Sequence, residues 1–229
     1  MIERASRTLQ LCLVLTVGFL IPVVGSLRAI FGLRHPHPAT NRAFIAAIIF
    51  QSIGLLCLYL VLRHQKRTLR EIGLAFSVGL KEFGDSLKLF FAAFLTSALF
   101  YWAVYRVYVL LGREWHRQNN SAIVFGTTLS VLPVLYVLLN PFHEELLVRA
   151  FLISETEWIF GSTTFAIFLS VTLQISYHLY QGLPAALSHI PAFLLFSFYF
   201  VRTRRILPII LAHMFMDVYA LAFYFRHLR

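Results

Sequence analysis

The sequence is poor in charge. Of its 229 residues only 10 are acidic and 20 are Lys or Arg, while 59% are hydrophobic. No polar stretch is long enough to fold as a separate soluble domain, so the composition reads as an integral membrane protein forming one membrane domain over 1–229. Cysteine is scarce as well. Cys12 and Cys57 both fall in apolar runs, which excludes a cysteine metal quartet and argues against a disulfide framework. Aspartate occurs only at Asp85 and Asp217, and Asp85 falls in a mixed polar segment, which argues against an intramembrane aspartyl pair. No G-x-S-x-G is present for a serine elbow. His143-Glu144 begins the zinc-protease pattern H-E-x-x-H, but the position that should close it is Leu147. No internal repeat stands out. The net charge of +10 does not indicate nucleic acid, because the basic residues flank apolar runs instead of forming a stripe. In a membrane protein they face anionic headgroups.

What the chain does have is a series of long apolar runs, and their spacing predicts about seven spans. The first covers about 9–31. It is too long for a signal h-region and reads as a retained helix. His35, Pro36, His37 and Pro38 make a short loop. A second span over 42–62 is followed by the dense basic cluster Arg63, Lys66, Arg67 and Arg70. The stretch 71–86, with Gly73, Gly79 and Gly84, reads as an interfacial amphipathic segment. A third span covers 87–111, and 112–121 is loop-like. These residues, 1–121, form an amino-terminal part. The remainder, 122–229, carries a fourth span over 122–154, kinked at Pro141, with Glu155 and Glu157 at its wet end. The fifth to seventh spans cover 163–181, 183–201 and 206–225. The fold expected is therefore all-α, a polytopic transmembrane helix bundle around a polar intramembrane site. Basic residues number 11 on the amino-terminal side against 8 on the other, leaving Arg149 aside. This bias predicts N-in, C-out; separately, the membrane expected is a bacterial cytoplasmic one.

One stretch breaks the apolar pattern. Ala122 to Leu139 contains no charged residue, yet Asn-Pro-Phe-His-Glu-Glu-Leu-Leu-Val-Arg follows directly. An ionisable side chain at mid-bilayer costs roughly 2.5–3.5 kcal/mol on insertion scales, so Glu144, Glu145 and Arg149 must pair or do chemistry. Glu145 and Arg149 are four apart and share a helix face, while Glu144 points about 100° away. Downstream spans carry His178, then His213 and Asp217, again four apart. Such a set can hold a metal, activate a water or relay protons. With serine and aspartyl nucleophiles disfavoured, a water with a glutamate base remains. Arg149 or a protonated His would compensate an ionised Glu144, and His213, steadied by Asp217, can donate to an oxyanion. His143 and His189 read as structural or pore-lining, and Tyr177 and Tyr180 as membrane-interface aromatics.

These residues carry a resemblance. Glu144-Glu145-x-x-x-Arg149, His178 before Leu-Tyr-Gln-Gly, and His213-x-x-x-Asp217 resemble the three motifs of the CPBP family, the CAAX prenyl endopeptidases and Abi bacteriocin-processing or immunity proteins. The resemblance covers about 132–217. It implies a multi-helix intramembrane endopeptidase whose site opens to the cytosol, acting on a membrane-associated protein or peptide. In that scheme Glu144 and His178 activate water, and His213 with Asp217 forms the oxyanion site. The family has been described both as glutamic-type and as metalloprotease. A divalent metal such as zinc, if present, would fall to Glu144, His178 and His213. Two positions depart from the family pattern: Gln174 stands where an aromatic is usual, and Asp217 replaces the commoner Asn. Members that act as scaffolds or immunity factors keep a non-catalytic alternative open. An ion-coupled transporter is a further alternative, though it usually shows paired halves that are not visible here.

Overall fold

The computed structural model describes residues 2–33, 37–75, 79–112, 121–127 and 130–227. All regular structure among them is helical. Among these described residues six helices are long and apolar enough to cross a membrane. Helix α1 (Ile2–Ile30) leads to α2 (Asn41–His64), which is capped by the Thr40 hydroxyl accepting from the Ala43 N–H. After a 3₁₀ turn at Leu69–Ile72 comes α3 (Leu80–Leu110). The short α4 (Ser121–Phe125) precedes α5 (Val131–Glu144), whose axis continues through a π-helical segment, Glu145–Phe151, into α6 (Leu152–Phe160). Then follow α7 (Thr163–His178), α8 (Leu183–Ser188), α9 (Ile190–Thr203) and α10 (Leu207–Arg226).

Several sequence expectations are corrected. Among the described residues six helices meet the length and hydropathy of a span, against about seven expected. The expected fifth span ends as an α-helix of 16 residues, about 24 Å long, and passes into a 3₁₀ turn at Leu179–Gln181. The fourth does not begin at residue 122. Gly126 has a φ of +74°, and a Cβ there would meet the Ala39 carbonyl at 2.6 Å, so the chain breaks at this glycine and the long helix begins at Val131. The stretch 71–86, expected as one interfacial segment, is divided, and 76–78 lie outside the described residues. Ile72 and Leu74 are buried in the main core, and α3 takes over from Leu80. His35 and Pro36, and most of the 112–121 loop, lie outside the described residues.

The two ends of the bundle are tied differently. At one end, Glu155 is fully buried instead of wet. It accepts from Arg7 at 2.8 and 2.6 Å and from Arg67. The Arg7 guanidinium also stacks 3.9 Å from the Trp158 ring centroid. Arg205 bridges to Glu82 and Asp85, Arg204 to Glu157, and the Ile206 N–H donates to the Gly73 carbonyl. At the opposite end, Ala39 donates to the Ala122 carbonyl and the Tyr224 hydroxyl to the Gly126 carbonyl. Between these ends sits the core, dominated by Leu146–Ile153 and residues of α1, α2, α9 and α10.

Helices α1 and α2 approach the long helix where side chains are missing. A Cβ on Gly54 would lie 2.7 Å from His143 Nε2 and 3.5 Å from the Gly18 Cα, and a Cβ on Gly18 would overlap Leu147. His143 cannot swing clear easily, since its ring packs on Phe19 and Phe50. Gly54→Ala is therefore expected to cost about 1–3 kcal/mol through overpacking, measured by unfolding in detergent. Gly25→Ala, with nothing within 4 Å, serves as the control and is expected to leave stability unchanged or slightly raised.

Candidate active site

The site is built around the change of helix type. Ionisable residues in the apolar long helix would be costly in lipid, and here they sit at its most buried point. Glu145, Arg149 and every residue between them are buried, within the π-helical turn. Wide turns of this kind re-aim side chains and recur at functional sites. Arg149 Nη1 lies 3.0 Å from both carboxylate oxygens of Glu145. Its guanidinium faces the rings of Phe193 and Phe196, with centroids 5.2 and 5.8 Å away. Those π faces accept the cation where Nε and Nη2 find no hydrogen-bond acceptor.

Glu144 points elsewhere, into a cavity of about 190 Å³. Its Oε2 accepts a 2.6 Å hydrogen bond from the Tyr177 hydroxyl and lies 3.9 Å from His178 Nε2. His178 occupies the last position of α7, where the helix gives way to its 3₁₀ turn. Gln181, in that turn, sets the imidazole: its Nε2 is 3.1 Å from His178 Nδ1, and its Oε1 is 3.0 Å from His189 Nε2. With Nδ1 accepting, the neutral His178 ring carries its proton on Nε2. That Nε2 is buried and has no hydrogen-bond partner among the described residues.

From α10, His213 and Asp217 reach the same cavity. Their expected mutual hold is looser than the spacing suggested. His213 Nδ1 donates to Glu145 Oε1 at 2.7 Å, while its Nε2 is 3.7 Å from Asp217 Oδ2. Glu145 thus fixes the His213 ring. Asp217 in turn is 3.5 Å from Asn140 Nδ2, and Asn140 Oδ1 accepts from Gln51 Nε2 at 2.7 Å. The polar chain runs from α2 through α5 to α10. Four side chains singled out by sequence, Glu144, His178, His213 and Asp217, therefore line one cavity, and Glu145 with Arg149 forms a buried pair behind it. His143 lines the cavity as well, and the His189 ring centroid lies 5.1 Å from that of His178.

Residues 126–219 match the family model described as Type II CAAX prenyl endopeptidase Rce1-like. The match spans less than half of the chain and contains the whole 132–217 stretch that carries the three motifs. No curated protein and no solved structure matches the chain. The Rce1-like segment begins at the Gly126 break and ends just past Asp217. It therefore includes every candidate residue, while α1, α2 and α3 fall outside it.

The candidate side chains do not come together as a set of three metal ligands. Among the described residues, no group of three or more His, Cys, Asp or Glu is disposed to hold one. His213 Nδ1 is turned to Glu145 and His178 Nδ1 to Gln181, which leaves the two Nε2 atoms to face the cavity. As placed, Glu144, His178 and His213 do not come together as a three-ligand set.

Sequence reasoning missed several participants. Tyr177, read as an interface aromatic, is buried against Glu144, and Tyr180 lines the cavity. Gln51, Asn140 and Gln181 carry polar contacts of the site. A usable signal existed for Gln51: an amide within an apolar span turns to the bundle interior.

Proposed function

We propose that the chain is an intramembrane endopeptidase that hydrolyses a peptide bond of a membrane-associated protein or peptide, using a water activated by Glu144 and His178. One observation carries this reading. Glu144 Oε2 and His178 Nε2 are 3.9 Å apart at the wall of a cavity, so a water about 2.8 Å from each reaches both. His178 Nε2–H donates to that water, and Glu144 takes a proton from it. The water oxygen attacks the scissile carbonyl carbon, and Glu144 returns the proton to the departing amine. The oxyanion is received by His213 Nε2–H. Since Nδ1 already donates to Glu145, this requires the ring to carry both protons, with Glu145 and Asp217 as compensating anions. Because the donor set does not converge, no step is routed through a metal.

Substrate would enter through a neighbouring space of about 470 Å³, which shares Pro22, Ala47, Val124, Tyr136, Tyr177 and Tyr180 with the catalytic cavity. Both spaces lie toward the Ala39–Gly126 end of the bundle. The 11-to-8 basic bias favours a cytoplasmic Arg7 end, which would place this mouth on the outer side. The family resemblance implies the reverse. Labelling of single cysteines introduced at Pro38 and at Lys66 with a membrane-impermeant thiol reagent decides between them: the outward end labels in intact cells.

The test of the activity is to compare protein termini in cells carrying the wild type and Glu144→Ala at equal expression. A set of termini present only with the wild type is expected, and it would name the substrate and the cleaved bond. Identical termini across growth states would remove the protease reading in favour of a non-catalytic membrane scaffold or immunity factor.

A further inference from the structure

Resting on that reading, we infer that Tyr177 and Gln174 are positioning residues for the general base, and that Gln174 acts on Glu144 through the Tyr177 hydroxyl. Gln174 Nε2 is 3.1 Å from Tyr177 Oη, and Tyr177 Oη is 2.6 Å from Glu144 Oε2. All three side chains are buried. The direction of each bond follows from valence. An ionised Glu144 can only accept, so the phenol proton goes to Oε2, and the phenol oxygen is left to accept. The Gln174 amide must then present its nitrogen to Oη, because its carbonyl would compete for that one proton.

The relay has the features of an orienting device. Tyr177 is held on its other sides, its ring stacked on Phe19 with centroids 5.0 Å apart and its backbone carbonyl accepting from the Ser26 hydroxyl at 2.6 Å. The phenol cannot drift, so the carboxylate it binds cannot rotate away from His178. The Gln174 Oε1 is buried without a hydrogen-bond partner among the described residues, a cost that an apolar or aromatic residue at this position would avoid. The amide is thus better explained by what its nitrogen does. The phenol has no second proton for an oxyanion, which separates this role from that of a catalytic donor. Gln174 also accounts for the departure from the family's aromatic at this position: the amide does polar work on the next turn of α7.

Three variants test the relay in purified protein reconstituted in vesicles, with a peptide spanning a bond found in the termini comparison. Tyr177→Phe and Gln174→Leu are each expected to lower kcat about 10–100-fold with KM unchanged. Adding Gln174→Leu to Tyr177→Phe is expected to cost nothing further. Additive losses, or a fall only in thermal stability, would mean that the two side chains merely pack, and would overturn the inference. An activity-independent arm uses infrared spectroscopy: Tyr177→Phe is expected to shift a carboxylate band that Glu144→Gln abolishes. If the wild type hydrolyses nothing, the protease reading fails and this band alone decides the bond; an unshifted band rejects it.

Discussion

Glu144→Gln is expected to lower the rate of peptide-bond hydrolysis by about 10²–10⁴-fold, the range that a positioned general base contributes, while the protein folds normally. The amide has the shape of the carboxylate. Its oxygen can still accept from the Tyr177 hydroxyl, which now lies 2.6 Å from Oε2, and it cannot take a proton from water. Glu145→Gln, one residue along, should behave differently. Glu145 is tied to Arg149 and to His213, so its loss removes an ion-pair partner and frees the imidazole meant for the oxyanion. Stability and activity should fall together. Steady-state kinetics and detergent unfolding of the two variants separate a base from a scaffold for the base. Wild-type turnover in Glu144→Gln would place the proton acceptor elsewhere and sink the mechanism.

The candidate site was legible because lipid makes ionisable residues conspicuous. Glu144, Glu145, Arg149, His178, His213 and Asp217 stand out against apolar runs, and helical spacing paired the right neighbours for Glu145 with Arg149. What was not legible depended on geometry that periodicity does not carry. No residue pattern announces the π-helical turn at Glu145–Phe151, nor that His213 bonds Glu145 across helices more closely than it meets Asp217. Tyr177 was misread because a tyrosine beside an apolar run is usually at the membrane interface, and only tertiary contact with α5 shows otherwise. Glu155 was misread for a related reason. A charged residue near a helix end is normally solvated, but this one meets Arg7 of α1 and Arg67 of the loop after α2, both distant in sequence. Span limits were read well where hydropathy changes sharply, as for α2 and α10. They were misread where an apolar run continues through a break, as at Gly126, or where a helix begins among polar residues, as α3 does at Leu80.

Arg149→Met should be the most destabilising of the single substitutions considered. Methionine replaces much of the side-chain volume against Phe193 and Phe196, so the main change is electrostatic. The Glu145 carboxylate has no solvent exposure, and removing Arg149 leaves it with the His213 imidazole as its one remaining charge-bearing contact among the described residues. Breaking one partner of a buried pair costs about 3–5 kcal/mol where the survivor is left unpaired, and the remaining His213 contact offsets part of that cost. Replacing both partners is far milder, so Glu145→Gln combined with Arg149→Met is expected to recover a large part of that loss in a double-mutant cycle. Arg149→Lys should fall between wild type and Met: it restores charge but not the planar group that spans a carboxylate and two aromatic faces. Unfolding of the wild type, Glu145→Gln, Arg149→Met, the double variant and Arg149→Lys in one detergent, followed by tryptophan fluorescence, measures the order. Were Arg149→Met as stable as the wild type, the pair would not be what makes a buried Glu145 tolerable. The burden would then pass to His213, and the ring proposed to receive the oxyanion would have to be held by a structural charge as well as a catalytic one.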